Sequence, residues 1–416
     1  MSDLILKSKT FRLELTVKIL FIFLFIFTGY SNHFAKDDFE IVESVPVETM
    51  FENSPLNRTA EVWKQMIRES KTSISIETFY FADEINQPMN EIIDELKAAS
   101  ARGVQIRIIV DSSFYSRNDK SVDSLEGYVN ISIRKIPMGN IAGGVMHAKY
   151  FITDNENVFL GSQNFDWRAL IHIHEIGARI NSKRLAETFN ALFENDWNLC
   201  IGKNESEINT SVVNKHDPVI LHSQRYGQMK IYPAFSPHNL ILNGMSEEET
   251  ELTEILEKTR DRLLIQVYSF SPAAGKENFQ YMKIDSLLRN AAGRGVKIKL
   301  ILPNWALRDK STDFLKNLSL VENIEIKIIS IPIFSGGFIP YSRVDHSKYF
   351  VSDDNISWIS TSNWEWGYFN NSRNATLIID NEQVNSELKS VFYRSWDSPY
   401  SEIIDVNKTY EPVKRY

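Results

Sequence analysis

The chain of 416 residues has a single cysteine, Cys200. That excludes an intrachain disulfide and a thiolate zinc cage, so packing must hold the fold together. Surplus positive charge is also missing, with 46 Lys and Arg against 54 Asp and Glu and a formal charge of −8. A broad basic surface that tracks long nucleic acid is therefore not indicated, while a local contact with one phosphate is compatible with this balance. No uninterrupted apolar run approaches the roughly 20 residues that a bilayer span requires. What is present is ordinary: 43% hydrophobic and 24% charged residues exclude pervasive disorder and fibrous repeats, and the length allows two or three domains.

The N-terminus has its own logic. Lys7, Lys9, Arg12 and Lys18 precede the apolar run Ile19 to Phe27, and Gly29 and Ser31 are small residues placed as signal peptidase requires. Residues 1–31 are read as a secretory signal peptide. The alternative is a retained membrane anchor over residues 13–30, which Glu14 and Lys18 weaken. Export is the expectation, to the outside, a periplasm or an endolysosomal lumen. Loss of that segment would take the charge from −8 to −10. Sequons of the N-x-[ST] type add little support, because those at Asn355 and Asn374 fall inside the motifs below.

The remainder repeats itself. KTSISIETFYF, IIDELKAASARG, VQIRIIVD, ISIRKIP, MHAKYFITD and LFENDW follow one another from Lys71; DRLLIQVYSFS, IDSLLRNAAGRG, VKIKLILP, IEIKIISIP, VDHSKYFVSD and VFYRSWD follow from Asp261. Arg102-Gly103 matches Arg294-Gly295, and from His147 and His346 onward the offset stays at 199. In each copy, short β-branched runs flank an amphipathic helix that stops at Arg-Gly, the pattern of strand, crossover helix and strand. The expected fold class is α/β: two similar mixed-sheet domains in one chain, related by a pseudo-twofold. Their expected limits are residues 40–200 and 246–410, joined by a polar connector over 201–245.

The chemistry lies in the matched pair. His147-Ala-Lys149 with Asp154 and His346-Ser-Lys348 with Asp353 both fit H-x-K-x4-D, and each is followed at equal spacing by a hydroxyl and an amide, Ser162 with Asn164 and Thr361 with Asn363. One such motif is weak; two with the same sequel are far beyond chance. His and Lys two apart on a strand share a face. Two such strands meeting about a pseudo-twofold would ring one small cavity with two imidazoles and two ammonium groups, which suits a phosphodiester. Lys149 and Lys348, with Ser162, Asn164, Thr361 and Asn363 as neutral donors, could hold the non-bridging oxygens. One histidine could attack phosphorus while the other protonates the leaving oxygen, and no metal or other cofactor is needed.

These residues resemble the phospholipase D superfamily, whose signature is the duplicated H-x-K-x4-D followed by [ST]-x-N. The finer text, including IPYSRVDHSKYFVSD, STSNWEWGYF, GSQNFDWRAL and SWDSPYSEIID, is similar to the branch of animal endolysosomal phospholipase D-like proteins and their poxvirus relatives. The resemblance covers about residues 40 to 405 and implies two α/β domains with the active site at their interface. It implies a metal-independent 5′-exonuclease on single-stranded DNA or RNA. The alternatives are a phospholipase D or transphosphatidylase acting on glycerophospholipid, and a membrane-associated scaffold with an idle site, against which the intact histidines and lysines argue. It also implies that Glu175 orients a catalytic imidazole; the matching position in the second copy is Asn374. We accordingly expect His147 as nucleophile and His346 as general acid, with Asp154 and Asp353 supporting the motif. Ser360 stands where the family usually has glycine. Asp166, Trp167, Trp364, Trp366, Tyr368 and Phe369 are candidates to stack bases. A metal at His172 and His174 lacks a third ligand.

Overall fold

The computed structural model describes residues 38–115, 121–203, 211–273 and 280–416. The expected signal or anchor lies outside them. Among the described residues no helix is long and apolar enough to cross a membrane.

Seven of the nine strands of the first sheet are longer than two residues: β1 (Phe39–Ser44), β2 (Ser73–Glu77), β3 (Gln105–Asp111), β4 (Ile131–Ile136), β5 (Tyr150–Thr153), β6 (Asn157–Gly161) and β7 (Ile173–Asn181). Their spatial order is β1-β7-β6-β5-β2-β3-β4, with β2, β3 and β4 parallel and the other neighbours antiparallel. The second sheet repeats this. Beyond the edge strand β8 (Val219–Ser223) come β9 (Gly227–Ser236), β10 (Arg262–Val267), β11 (Lys297–Pro303), β12 (Ile324–Ile329), β13 (Lys348–Ser352), β14 (Ile356–Ser360) and β15 (Asn374–Asp380). They run β9-β15-β14-β13-β10-β11-β12 in space, closed by β16 (Ser401–Ile403). The two mixed-sheet α/β domains expected from the repeat are therefore present. The stretch 219–236 supplies two strands of the second sheet, β9 being the counterpart of β1.

Helices α1 (Thr59–Glu69) and α2 (Pro88–Ala101) cover the first sheet, and α3 (Lys183–Leu199) follows β7. In the second half α4 (Glu248–Lys258), α5 (Lys283–Gly293) and α6 (Asp309–Ser319) precede the motif, and α7 (Glu382–Trp396) matches α3. The repeated Arg-Gly has a physical cause. Gly103 and Gly295 take φ of +96° and +95°, a left-handed helix stop that costs glycine no Cβ clash. Arg102 turns back to donate to the Ile67 carbonyl at 2.9 Å, and Arg294 to the Leu256 carbonyl at 3.0 Å, so each ties its own helix to the end of the preceding one.

Apolar residues of α3, α7 and both sheets merge into one core, from Phe39 and Phe189 to Tyr349 and Phe392, while two further clusters lie under α1/α2 and under α4/α5. The halves also exchange backbone. Ile173 and His174 pair in parallel with Val344 and Asp345, and Met146 pairs with Arg373. The His147 N–H donates to the Arg373 carbonyl and the His346 N–H to the His174 carbonyl, each at 2.9 Å. Each motif histidine is thus registered by the other half's strand.

Buried polar residues show where the copies diverged. At Ser360 the hydroxyl donates to Glu248 at 2.8 Å, beside Ser362 at 2.7 Å and Thr376 at 2.6 Å on the same carboxylate. The first half has Gly161, Gln163 and Gly177 at those places, and a Cβ on Gly161 would run into Gln163 and Gly177. Buried Glu248 is pushed up in pKa by desolvation, against those donors.

Candidate active site

The exchange brings His147 and His346 to one cleft, and each imidazole is held from across the interface. His147 Nδ1 lies 3.0 Å from Asn374 Oδ1. The Asn374 amide nitrogen donates to the Tyr368 carbonyl at 2.8 Å and Thr361 Oγ1 donates to Asn374 Oδ1 at 3.0 Å, so that oxygen is the acceptor. The proton on His147 therefore sits on Nδ1 and its Nε2 lone pair is free. His346 Nδ1 lies 3.0 Å from both oxygens of Glu175, which fixes the same tautomer with a carboxylate instead of an amide. Phe79 and Tyr368 flank the His147 ring at 5.4 and 4.7 Å, and Tyr268 flanks His346 at 4.6 Å.

The lysines lie underneath. Lys149 Nζ donates to the His147 carbonyl and Lys348 Nζ to the His346 carbonyl, both at 2.7 Å. Burial lowers Lys348 to about 7 against the pull of Glu175 and Asp345. It lowers Lys149 strongly too, helped by repulsion from Lys348. Burial, with the two lysines, also holds both imidazoles well below the usual histidine range. Glu175, wholly buried, is pushed up by desolvation and restrained by Lys348 and Ser162. An anion in the cleft would favour the charged forms of both lysines and of His346 against that burial.

Ser162 accepts from the Ile176 N–H at 3.1 Å, as Thr361 accepts from the Ala375 N–H at 3.1 Å. The side-chain oxygens of Asn164 and Asn363 are buried with no hydrogen-bond partner; being acceptors they cannot bond to phosphate oxygens, a task that falls to the amide nitrogens. Asp154 and Asp353 do not join the cleft. Asp154 turns at φ +56° and accepts from the amides of Lys71, Thr72 and Ser73 at the entry to β2, the Thr72 contact being 2.7 Å. Asp353, at φ +49°, does the same for Arg260, Asp261 and Arg262. Their place in the motif is that of strand anchors, and they are not catalytic in the sense of touching reacting atoms. Of the stacking candidates, Trp364 and Phe369 are buried in the second-half core, and Asp166 is held by Tyr80 at 2.9 Å and by Arg168. Tyr368 alone among them packs a site histidine. Cys200 is partly buried and pushed up to about 12 by desolvation.

Under the histidines lie two buried networks that sequence reasoning missed. Arg373 is paired in bidentate fashion with Asp196 at 2.6 and 2.8 Å. At the equivalent place in the other copy stands His174, between Asp345 at 2.6 Å and Glu43 at 2.8 Å and stacked on Phe51. Burial alone would lower the His174 pKa, but the two carboxylates raise it to about 9. Both are cations one residue before the group that holds a motif histidine. The offset of 199 pairs positions 174 and 373 and was the available signal. No group of three or more potential metal ligands occurs among the described residues, His172 and His174 included.

A duplicated α/β fold whose interface carries two oriented imidazoles over two buried lysines defines a class of phosphodiesterases. The family described as "Cardiolipin synthase, PLD-like domain" matches residues 63–197 and 252–396. The chain belongs to this phospholipase D-like family and is a phosphodiesterase of that superfamily. It is 30% identical over 389 residues to the virion nicking-joining enzyme of vaccinia virus (strain Copenhagen), covering 89% of this chain and 90% of that one. With the 5′-3′ exonuclease PLD3 of Xenopus laevis it shares 29% over 403 residues, 87% of this chain and 80% of the other. Among solved structures, phosphatidylserine synthase of Haemophilus influenzae superposes with a TM-score of 0.59 at 12% identity over 83% of this chain and 85% of that one, a likeness of fold. The branch named from the motifs is the branch these relatives occupy.

Proposed function

We propose that the protein is a 5′-exonuclease on single-stranded DNA or RNA that works through a phosphohistidine on His147. The observation that carries the mechanism is the unequal backing of the two imidazoles, Asn374 on one and Glu175 on the other. A neutral acceptor leaves His147 uncharged, with Nε2 free to attack. The P–N bond forms as the bond to the leaving oxygen breaks, and the proton on His346 Nε2 goes to that oxygen. A carboxylate behind His346 favours the imidazolium that this transfer requires. His346, now neutral, then takes a proton from water as the water oxygen attacks phosphorus and the P–N bond breaks. Lys149, Lys348, Asn164 and Asn363 stabilise the added charge on the non-bridging oxygens in both steps.

The nucleic-acid assignment is supported by the relatives, one named as an exonuclease and one as a nicking-joining enzyme. A negative formal charge of −8 fits gripping a terminus better than tracking a strand. Export by the N-terminal segment is part of the same proposal, supported by its basic and apolar order. The test is digestion of end-labelled single strands beside a circular strand of equal length and beside phosphatidylcholine or phosphatidylglycerol vesicles, with and without EDTA. Mononucleotides from the 5′ end of linear strands alone are expected, unaffected by EDTA. Cleavage of the circle would show an endonuclease, headgroup release without nucleotide release would show a lipid enzyme, and no release at all would show the idle scaffold.

A further inference from the structure

We infer that Arg308 and Arg415 form a second anion subsite that takes the phosphate next to the scissile one, on the leaving-group side of the cleft. The inference rests on the nucleic-acid reading above and names what holds the rest of the strand.

The geometry starts at His346. Its ring packs against Tyr268 at 4.6 Å, and Tyr268 packs against Trp305 at 6.5 Å. Two guanidinium groups converge on the main-chain carbonyl of Trp305: Arg308 Nε donates to it at 3.1 Å, and Arg415 Nη2 donates to it as well. The Arg415 guanidinium also lies 5.1 Å over the Trp305 ring. Its segment is tied down, since the Tyr341 N–H donates to the Arg415 carbonyl at 2.7 Å.

Two like charges on one carbonyl repel. Burial and the facing Arg308 both push Arg415 below the usual arginine range, and both guanidinium groups act on the Tyr268 hydroxyl. Glu365 lines the same cavity, but it accepts from Ser269 at 2.5 Å. Among the described residues neither guanidinium forms an ion pair. An anion between them would relieve the repulsion and accept from both forks, the geometry for which arginine is suited.

There is room. Arg308 stands between a cavity of about 380 Å³ lined also by Ser269, Ser271 and Ser311, and one of about 440 Å³ lined also by Lys414 and Arg415. Displacement at phosphorus is in line, so with His147 attacking, the leaving oxygen departs towards His346. A strand that continues from that oxygen passes Tyr268 and meets the arginines one ring further out. The corresponding first-half surroundings are aromatic: Phe79 packs on Phe114 at 3.8 Å and on His147, and Tyr80 stacks on Phe114. Positive charge is therefore placed where the polyanionic remainder of the substrate must lie.

The test compares the full chain with R308A/R415A on 5′-hydroxyl oligothymidylate and on bis(4-nitrophenyl) phosphate, which has one phosphate. The expected result is a KM for oligothymidylate raised at least about tenfold, as for loss of charge-assisted hydrogen bonds. Hydrolysis of the aryl diester should change less than about twofold, and the salt slope of oligothymidylate binding should fall by about 0.7 per lost contact. Equal loss on both substrates, or an unchanged KM for oligothymidylate, would overturn the subsite. Should the unaltered protein cut the aryl diester and leave oligothymidylate whole, the exonuclease reading fails. The subsite is then judged by anisotropy of 3′-fluorescein tetrathymidylate on the H147N protein: weaker binding in H147N/R308A/R415A supports it, and equal or no binding overturns it.

Discussion

Replacing Glu175 by glutamine separates orientation from charge. The glutamine can still accept from His346 Nδ1, now 3.0 Å from both carboxylate oxygens, so the tautomer and ring position should survive. What is lost is the interaction of a carboxylate with the imidazolium that protonates the leaving oxygen. At about 4 Å between charge centres and an effective dielectric of about 20 this is worth at most about 4 kcal/mol. Losses of about 10- to 100-fold are usual for groups behind a ligand or catalytic histidine, or about 1.4 to 2.7 kcal/mol in the barrier. The loss must depend on the leaving group. An alkoxide, such as the 5′-oxygen of a nucleotide, needs the proton, whereas 4-nitrophenolate departs as a stable anion. Single-turnover rates for E175Q should therefore fall by about one to two orders of magnitude on oligothymidylate, and by much less on bis(4-nitrophenyl) phosphate. Circular dichroism should show the fold intact. Equal falls on the two substrates would refute the assignment of His346 as the acid, as would full activity on both.

Other perturbations address the neighbouring groups. His174 has its folded pKa raised from 6.5 to about 9, so its contribution to stability is complete below 6.5 and disappears as pH rises through 9. Linkage makes that contribution about 3 kcal/mol; urea midpoints should fall between pH 7 and 10, and the fall should be smaller in H174Q, an equal fall excluding His174 as its source. D196A removes the bidentate partner of the wholly buried Arg373 cation, and denaturant titration should show a loss of about 3 to 5 kcal/mol; a loss below about 1 kcal/mol would mean that Arg373 finds water or the nearby Glu77 instead. Lys348, lowered to about 7, gains its charge as pH falls, so sulfate binding measured by calorimetry should tighten from pH 8 to 6. The same pH series on K348M should be flatter, and an identical series would show that Lys348 does not meet the anion.

How much was legible is clearest at Glu175. The repeat placed it at the position matched by Asn374, and the resemblance made it the partner of an imidazole. Neither could say which histidine it serves. Glu175 and His346 are 171 residues apart, and only the parallel pairing of Ile173 and His174 with Val344 and Asp345 brings them together. The same exchange assigns Asn374 to His147 and buries Arg373 and His174 as the cations behind them. A periodic pattern reports which face of a strand is apolar; it carries no record of the strand from the other half that will lie beside it.

The motif aspartates make the complementary point. H-x-K-x4-D reads as one unit, yet the side chains separate: His and Lys face the cleft while the Asp turns through positive φ to anchor the next strand's entry. Strands β8 and β9 lie in a stretch whose Gln228, Lys230 and Pro233 blur the alternation that marks a strand; β9 lies between β8 and β15, and its Pro233 falls beyond the residues that pair with β8, where a missing N–H is tolerated. By itself, then, the sequence determined the duplicated α/β organisation, the helix stops at Arg-Gly and the two histidine–lysine pairs that meet at the cleft, since these depend on local periodicity and on residue types repeated at fixed spacing. Only the tertiary structure decided which carboxylate or amide holds which histidine, a matter of how one half packs on the other, and which aspartates stand apart and where Arg308 meets Arg415, which are settled within each half; all of these pairings join chain segments about 80 to 230 residues apart.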